Sequence, residues 1–433
     1  MNIDESPKRR KPAGKGETAS KSRSAPRARA GSGRPGPSRT ALVLGGGGFT
    51  GGVYEIGALR ALDLLAVNHT VNDFDMYVGT SAGSFIASML AAGLTPEEMM
   101  RALTDDDGPI DSIRQDTMLR PTLGDYARSV AGLPFHVAGM VRKFLPRLRE
   151  VSAIDIGYGL AESLPTGMYS NAGIGRYVRE VLATQGVIDS FDALRRDLYL
   201  TATDLDSGER VVLGDSEGDW PDIPISTAVQ ASTALPLVYK PVEVNGRTLI
   251  DGGIYSTTNV DVAVERGAKF IVVVNPMVPY VNDRNEGLPT VSGGPVRRIV
   301  DMGVPAIANQ AFRLLLHQRL SIAVKSWNER YPGVDIVLFE PDLDDELMFG
   351  TSIMNYSRRL DIAAHGFESV TARLAENYDH YTEIAEKHGL EISATRLRRV
   401  VRKVKEQESS EASVWRRIFE QTTGALLRQT GTG

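Results

Sequence analysis

The 433-residue chain is 42% hydrophobic and 24% charged, proportions of a globular protein with one large or two smaller domains. It has no cysteine, which excludes disulfides and thiolate metal sites, and neither an apolar N-terminal segment for secretion nor an uninterrupted apolar run of the roughly 18 residues a spanning helix needs, so an intracellular, cytoplasmic protein is expected. The net charge of -5 is uneven: the first 40 residues hold 11 Lys/Arg against 3 Asp/Glu, and the remaining 38 basic and 51 acidic residues make the rest of the chain acidic.

Residues 1–39 mix Lys, Arg, Pro, Gly and Ser with almost no large apolar side chains and cannot bury enough surface to offset ordering, so a disordered basic tail is expected. Its Lys8-Arg9-Arg10-Lys11 cluster suits either a solvated tail or contact with an anionic surface; no specific nucleic acid is expected. Order begins at Ala41-Leu42-Val43-Leu44, a run typical of a buried parallel strand, followed by the glycine loop 45–52 and by Val53, Ile56, Leu59 and Leu62 at helical spacing. Residues 46–51 satisfy G-x-G-x-x-G, so a dinucleotide site with Asp73 or Asp75 on the ribose is one reading. An anion cradle of bare backbone N–H groups at a helix N-terminus is the other. A second strand-turn-helix unit runs from Tyr77 to Ala92, and Thr95-Pro96-Glu97-Glu98 opens a further helix with a capping box. Successive β-α units imply a parallel sheet with helices on both faces, which brings the two glycine-containing turns to the carboxyl ends of neighbouring strands.

Residues 105–170 mix Leu133, Phe135, Met140 and Phe144 with Arg142, Lys143, Arg147 and Arg149, and suit either a lid insertion that meets lipid or an ordinary helical layer. Strands are expected at 198–203 and 210–213 around the turn Asp204–Gly208, at 248–250, at 269–274 and at 335–339, with a helix from Ser226 to Leu235. After residue 355 the pattern is mostly helical, with a basic run from Arg396 to Lys405 and an apolar face of Trp415, Ile418, Phe419 and Leu426. This region suits packing on a partner element or docking at a membrane surface. The expected organisation is a tail over 1–39, an α/β domain over 40–345 and a helical region over 346–433.

Gly79-Thr80-Ser81-Ala82-Gly83 fits G-x-S-x-G, in which a serine sits on a sharp strand-to-helix turn with small residues on either side and the helix N-terminus beneath it. Ser81 is therefore a candidate nucleophile. None of the six histidines, His69, His136, His317, His365, His380 and His388, stands in a motif-like setting, which turns attention to a carboxylate base. Asp251 in Asp251-Gly252-Gly253 ends a short strand and could reach Ser81 from that strand's carboxyl end, although Asp-Gly-Gly is also good turn chemistry. Backbone N–H groups of the 45–52 loop, with that of Ala82, could hold an oxyanion.

Gly46-Gly47-Gly48-Phe49-Thr50-Gly51, Gly79-Thr80-Ser81-Ala82-Gly83 and Asp251-Gly252-Gly253, in this order on β-α units, resemble the patatin-like phospholipases. The stretches 202–209 and 231–236 add to the resemblance, which covers residues 41–275. It implies a three-layer α/β/α fold with a mainly parallel sheet and hydrolysis of lipid acyl esters by a Ser-Asp dyad. Ser81 would be the nucleophile and Asp251 the proton acceptor, with Gly46, Gly47, Gly48, Gly51 and Ala82 at the oxyanion hole and no metal or organic cofactor. Two positions depart from the family pattern: Thr50 and Gln230 stand where a basic residue is common, and the loss of those charges bears on the orientation of the glycine loop. The alternative is a non-catalytic scaffold that binds lipid or protein. Peripheral membrane contact through the basic ends is compatible with either.

Overall fold

The computed structural model describes residues 38–104, 110–122, 166–281 other than 217, 219 and 221, and 288–407 other than 291, 292 and 297, together with Gly124, Ala138 and Arg142. The expected basic tail, most of the 105–170 insertion and the 415–426 apolar face lie outside the described residues.

The order of elements is β1 (Thr40–Leu44), α1 (Gly48–Leu65), β2 (Met76–Thr80), α2 (Ala82–Ala91), α3 (Pro96–Thr104), α4 (Gln115–Met118), β3 (Arg120–Pro121), β4 (Gly167–Ser170), α5 (Ala172–Thr184), β5 (Asp197–Asp204), β6 (Arg210–Leu213), α6 (Ile225–Ser232), β7 (Leu237–Tyr239), β8 (Val242–Val244), β9 (Arg247–Asp251), α7 (Val260–Glu265), β10 (Phe270–Val274), β11 (Leu288–Thr290), β12 (Gly293–Val296), α8 (Val304–Arg330), β13 (Asp335–Phe339), α9 (Glu346–Gly350), α10 (Arg359–Glu376), α11 (Tyr378–Lys387) and α12 (Ala394–Gln407). The main sheet runs β13-β10-β1-β2-β5-β9-β8, with β6 also paired to β5. Pairing is parallel from β13 to β5 and antiparallel at β9, β8 and β6.

The alternation of side chains along each strand divides the core into two. Leu42 and Leu44 of β1 pack into one cluster with α1, α2 and α10, whereas Ala41 and Val43 pack into a second with Val260 and Ala263 of α7 and Leu320 and Trp327 of α8. Every residue of β1, β2 and β10 is buried, as expected of parallel strands covered on both faces. The architecture is thus a three-layer α/β/α fold. It includes a hairpin that the strand reading at 248–250 left half unseen: β8 and β9 are joined by Asn245 and Gly246, both at positive φ (50° and 77°), the geometry of a primed two-residue turn.

Residues beyond 346 contribute directly to the layers. Helix α10 crosses α1 so closely that a Cβ on Gly57 would lie 1.9 Å from Ala363 O, and one on Gly366 would lie 2.2 Å from Tyr54 O. Helix α12, which carries the basic run, buries Leu397 and Val400, and its Arg396 donates to Ala66 O at 2.5 Å, so its apolar face is used inside the fold. Among the described residues, no helix is long and apolar enough to cross a membrane.

Alanine normally stabilises a helix interior over glycine by about 1 kcal/mol. Here the sign is expected to reverse: Gly57→Ala and Gly366→Ala each lose about 2 kcal/mol, because the new methyl group meets a carbonyl of the crossing helix that cannot move without opening the layer. Urea unfolding of the two variants checks this through the midpoint.

Candidate active site

Ser81 joins β2 to α2 at φ 53° and ψ -121°, a left-handed conformation that costs a non-glycine residue energy and holds its side chain above the sheet edge. The turn closes only because its neighbours lack side chains. A Cβ on Gly83 would lie 2.3 Å from Leu44 O, and one on Gly79 would lie 2.5 Å from Ser84 Cα. Gly83 N–H donates to Gly45 O at 3.0 Å, which ties this turn to the glycine loop.

Asp251 arrives from the other direction. Strand β9 is antiparallel to β5 and pairs Asp251 with Ala202, while the parallel register of β2 and β5 pairs Thr80 with Thr201. The last residue of β9 is thereby level with the end of β2. Gly252 allows the approach, since a Cβ there would lie 2.3 Å from Thr201 O. Ser81 Oγ donates to Asp251 Oδ2 at 2.5 Å, and Gly253 N–H donates to Asp251 Oδ1 at 2.7 Å. Both side chains are shielded from water, with Ser81 at 7% exposure and Asp251 at 2%. Burial pushes the Asp251 carboxyl up to about 6, while the hydrogen bonds from Ser81 and Gly253 pull in the opposite direction.

Beneath the pair lies a buried polar network that the motifs did not signal. Asn259 Nδ2 donates to Thr80 Oγ1 at 2.9 Å and to Thr201 Oγ1 at 3.1 Å, and Asn259 Oδ1 accepts from Arg210 at 3.0 Å. Ser232 Oγ accepts the Ser81 N–H at 2.9 Å, which gives the 231–236 stretch a structural role. Among the described residues, no histidine hydrogen-bonds Ser81; His365 pairs with Asp345 and His388 with Asp335. No group of three His, Asp or Glu among the described residues is placed to hold a metal ion.

The glycine loop divides its labour. Gly46 passes so near the serine that a Cβ there would lie 3.3 Å from Ser81 Cβ, but its N–H donates to Thr257 O at 3.3 Å. Gly51 N–H donates to Gly47 O at 3.0 Å. The N–H groups of Gly47, Gly48 and Ala82 have no acceptor among the described residues, and they sit at the N-termini of α1 and α2. Gly48 and Ala82 line one cavity with Ser81, and the rest of its wall is almost wholly apolar, including Val53, Ile56, Phe85, Ile86 and Leu103. Along α1 the residues that line it run from Gly48 to Ile56, about 12 Å of helix at the usual rise.

Thr50 is buried at the start of α1, where its N–H donates to Ile353 O at 3.1 Å and its hydroxyl to Ser352 O at 2.8 Å. Gln230 packs against Gly175, whose Cβ would lie 1.7 Å from Gln230 Nε2.

A family model described as patatin-like phospholipase matches residues 42–264. Two curated relatives each align with about half of the chain. The Bacillus subtilis protein YqhO, itself uncharacterised, is 25% identical over 48% of this chain and 64% of its own length. A probable lipid hydrolase, 463L, of Invertebrate iridescent virus 6 is 23% identical over 52% of this chain and 63% of its own. The chain thus spans under two-thirds of either relative. Among solved structures, VipD from Legionella pneumophila aligns at 15% identity and a TM-score of 0.35, covering 79% of this chain and 67% of that one.

Because the folded carboxyl of Asp251 holds its proton to about pH 6, above the ordinary 3.8, the folded state loses stability as pH rises from about 4 through 6. At 1.36 kcal/mol per unit, the unfolding free energy of Asp251→Asn should gain about 2 kcal/mol on that of the wild type between pH 4 and pH 7. Paired denaturant titrations across this range check the direction, since groups common to both proteins cancel.

Proposed function

The chain belongs to the patatin-like phospholipase family, and on that premise we propose that it is a lipid acyl hydrolase in which Ser81 is the nucleophile and Asp251 the general base. The observation that carries the reading is the 2.5 Å hydrogen bond between a strained serine and a buried carboxylate at the head of an apolar cavity. An acyl chain would occupy that cavity, with its ester carbonyl beside Ser81 Oγ. The hydroxyl attacks the carbonyl carbon as Asp251 Oδ2 takes its proton. The negative charge that develops on the carbonyl oxygen is met by the unengaged N–H groups of Gly47, Gly48 and Ala82 and by the positive ends of α1 and α2, each such donor being worth roughly 3 kcal/mol.

Collapse of the tetrahedral species expels the alcohol, which receives the proton from Asp251, and leaves an acyl ester on Ser81. Water then gives its proton to Asp251 and attacks the acyl carbon, and release of the fatty acid returns the proton to Ser81. A carboxylate with an ordinary value near 4 would be a poor base for this work. Raising it to about 6 brings the base closer in strength to its task while leaving it ionised at neutral pH.

The first test is covalent labelling by a fluorophosphonate probe together with hydrolysis of a short-chain acyl ester. Wild type labels and turns over, while Ser81→Ala and Asp251→Asn, folded as judged by circular dichroism, lose both, with kcat reduced by roughly ten-thousandfold. A folded wild type that neither labels nor hydrolyses would establish a scaffold instead. In the wild type kcat/KM falls tenfold per pH unit below a midpoint near 6, because protonation of Asp251 removes the base.

A further inference from the structure

The cavity beside Ser81 is completed by a segment outside the matched residues 42–264. Between α9 and α10 the chain crosses the start of α1 as a short strap, residues 351–356, and Met354 of this strap lines the same cavity as Ser81. The strap is bound rather than merely adjacent. Both bonds described for Thr50 end on its carbonyls, and a Cβ on Gly48, whose φ is +63°, would lie 2.7 Å from Ile353 O. Asn355 N–H closes a turn onto Ser352 O at 2.9 Å, and Tyr356 packs its ring 5.4 Å from that of Phe49. Arg359 lies over Tyr356 at 4.2 Å and donates to Leu103 O at 2.6 Å, so the strap is pinned at both the top and the wall of the cavity.

The strap meets α1 at its first turn, the end at which Ser81 lies, whereas Ile56 is two turns deeper. Met354 lines the cavity together with Phe49, whose ring packs against that of Tyr356 in the same strap. Methionine is unbranched and soft, and it fills irregular space without a polar group that a passing chain would have to desolvate. A half-buried side chain at this place leaves room for an acyl group of one width and not of another.

We infer that the 351–356 strap is part of the substrate site, with Met354 the residue that selects acyl groups by cross-section and Thr50 the positioning residue that holds Met354 there. The inference rests on the acyl-hydrolase reading above. It also accounts for the uncharged residue at position 50: a threonine can bury its whole side chain while its hydroxyl holds the strap carbonyl.

The test compares two esters of equal composition, the p-nitrophenyl esters of octanoic acid and of its branched isomer α-ethylhexanoic acid, so that hydrophobicity and leaving group cancel. The measured quantity is the ratio of kcat/KM for branched over linear ester. Met354→Ala should raise this ratio on the order of tenfold and Met354→Trp should lower it, as expected when a few methylene-sized groups at an apolar wall decide entry. Thr50→Val, which keeps the shape but removes the bond to Ser352 O, should move the ratio in the same direction as Met354→Ala. Thr50→Ser, which restores the donor, should return it toward wild type. A merely structural role for either residue would lower both rates together and leave the ratio in place. If the wild type turns over and the ratio stays within about twofold in both Met354 variants, the strap has no part in selection and the inference is overturned. If the wild type shows neither turnover nor fluorophosphonate labelling, the hydrolase reading fails first and this inference falls with it.

Discussion

A hydroxyl and a carboxylate held 2.5 Å apart and largely shielded from bulk water are the contact around which this molecule is arranged. In bulk water such a pair would be worth little, since each group would be as well served by solvent. Removed from solvent, the carboxylate can be satisfied only by the donors that the fold aims at it, Ser81 Oγ and Gly253 N–H, and its proton affinity rises for want of more. The reactivity proposed for Ser81 comes from that shortage.

Keeping the pair dry requires a close approach of backbones that side chains would prevent. Two strand-to-helix turns, one after β1 and one after β2, pack against each other through Gly45, Gly46 and Gly83, and the Asp251 turn packs on β5 through Gly252. A Cβ at Gly83 or Gly252 would stand 2.3 Å from a carbonyl oxygen of another strand. The glycines of the motifs are thus required mainly by packing. Only a subset, with Ala82, leaves its N–H groups without an acceptor at the mouth of the cavity. The same economy of contact recurs at the crossing of α1 and α10, where Gly57 and Gly366 let two helices touch along their backbones. Because the first turn of α1 carries the glycine loop and its later turns carry that crossing, the glycine loop is braced by residues more than three hundred positions away.

The antiparallel half of the sheet has a specific use. Strand β9 enters from beyond the carboxyl end of β2, since Leu249 pairs with Asp204 while Thr80, the last residue of β2, pairs with Thr201. Running antiparallel to β5, it delivers its last residue, Asp251, opposite Ala202, next to Thr201, which pairs with the residue that precedes Ser81. Asn259 then joins Thr80 and Thr201 in a single buried network, so β2, which leads into Ser81, and β5, on which β9 pairs, cannot slide past one another without breaking it.

The amino-acid sequence by itself determined the β-α units and singled out Ser81 and Asp251 as candidates. Periodicity, glycine placement and G-x-S-x-G are local properties, written within a dozen residues of one another. The hairpin before Asp251 carries a turn signal in Asn245-Gly246 that the reading of a strand at 248–250 alone passed over. What only the tertiary structure decided are relations between distant residues: that Ser232 takes the Ser81 N–H, that Asn259 underlies both strands, that Gly46 and Gly51 spend their donors elsewhere, and that Thr50 binds a strap some three hundred residues on. None of these leaves a periodic trace. A hydrogen bond between remote backbone groups can be made by almost any residue type, and only the packing that brings the partners together selects it.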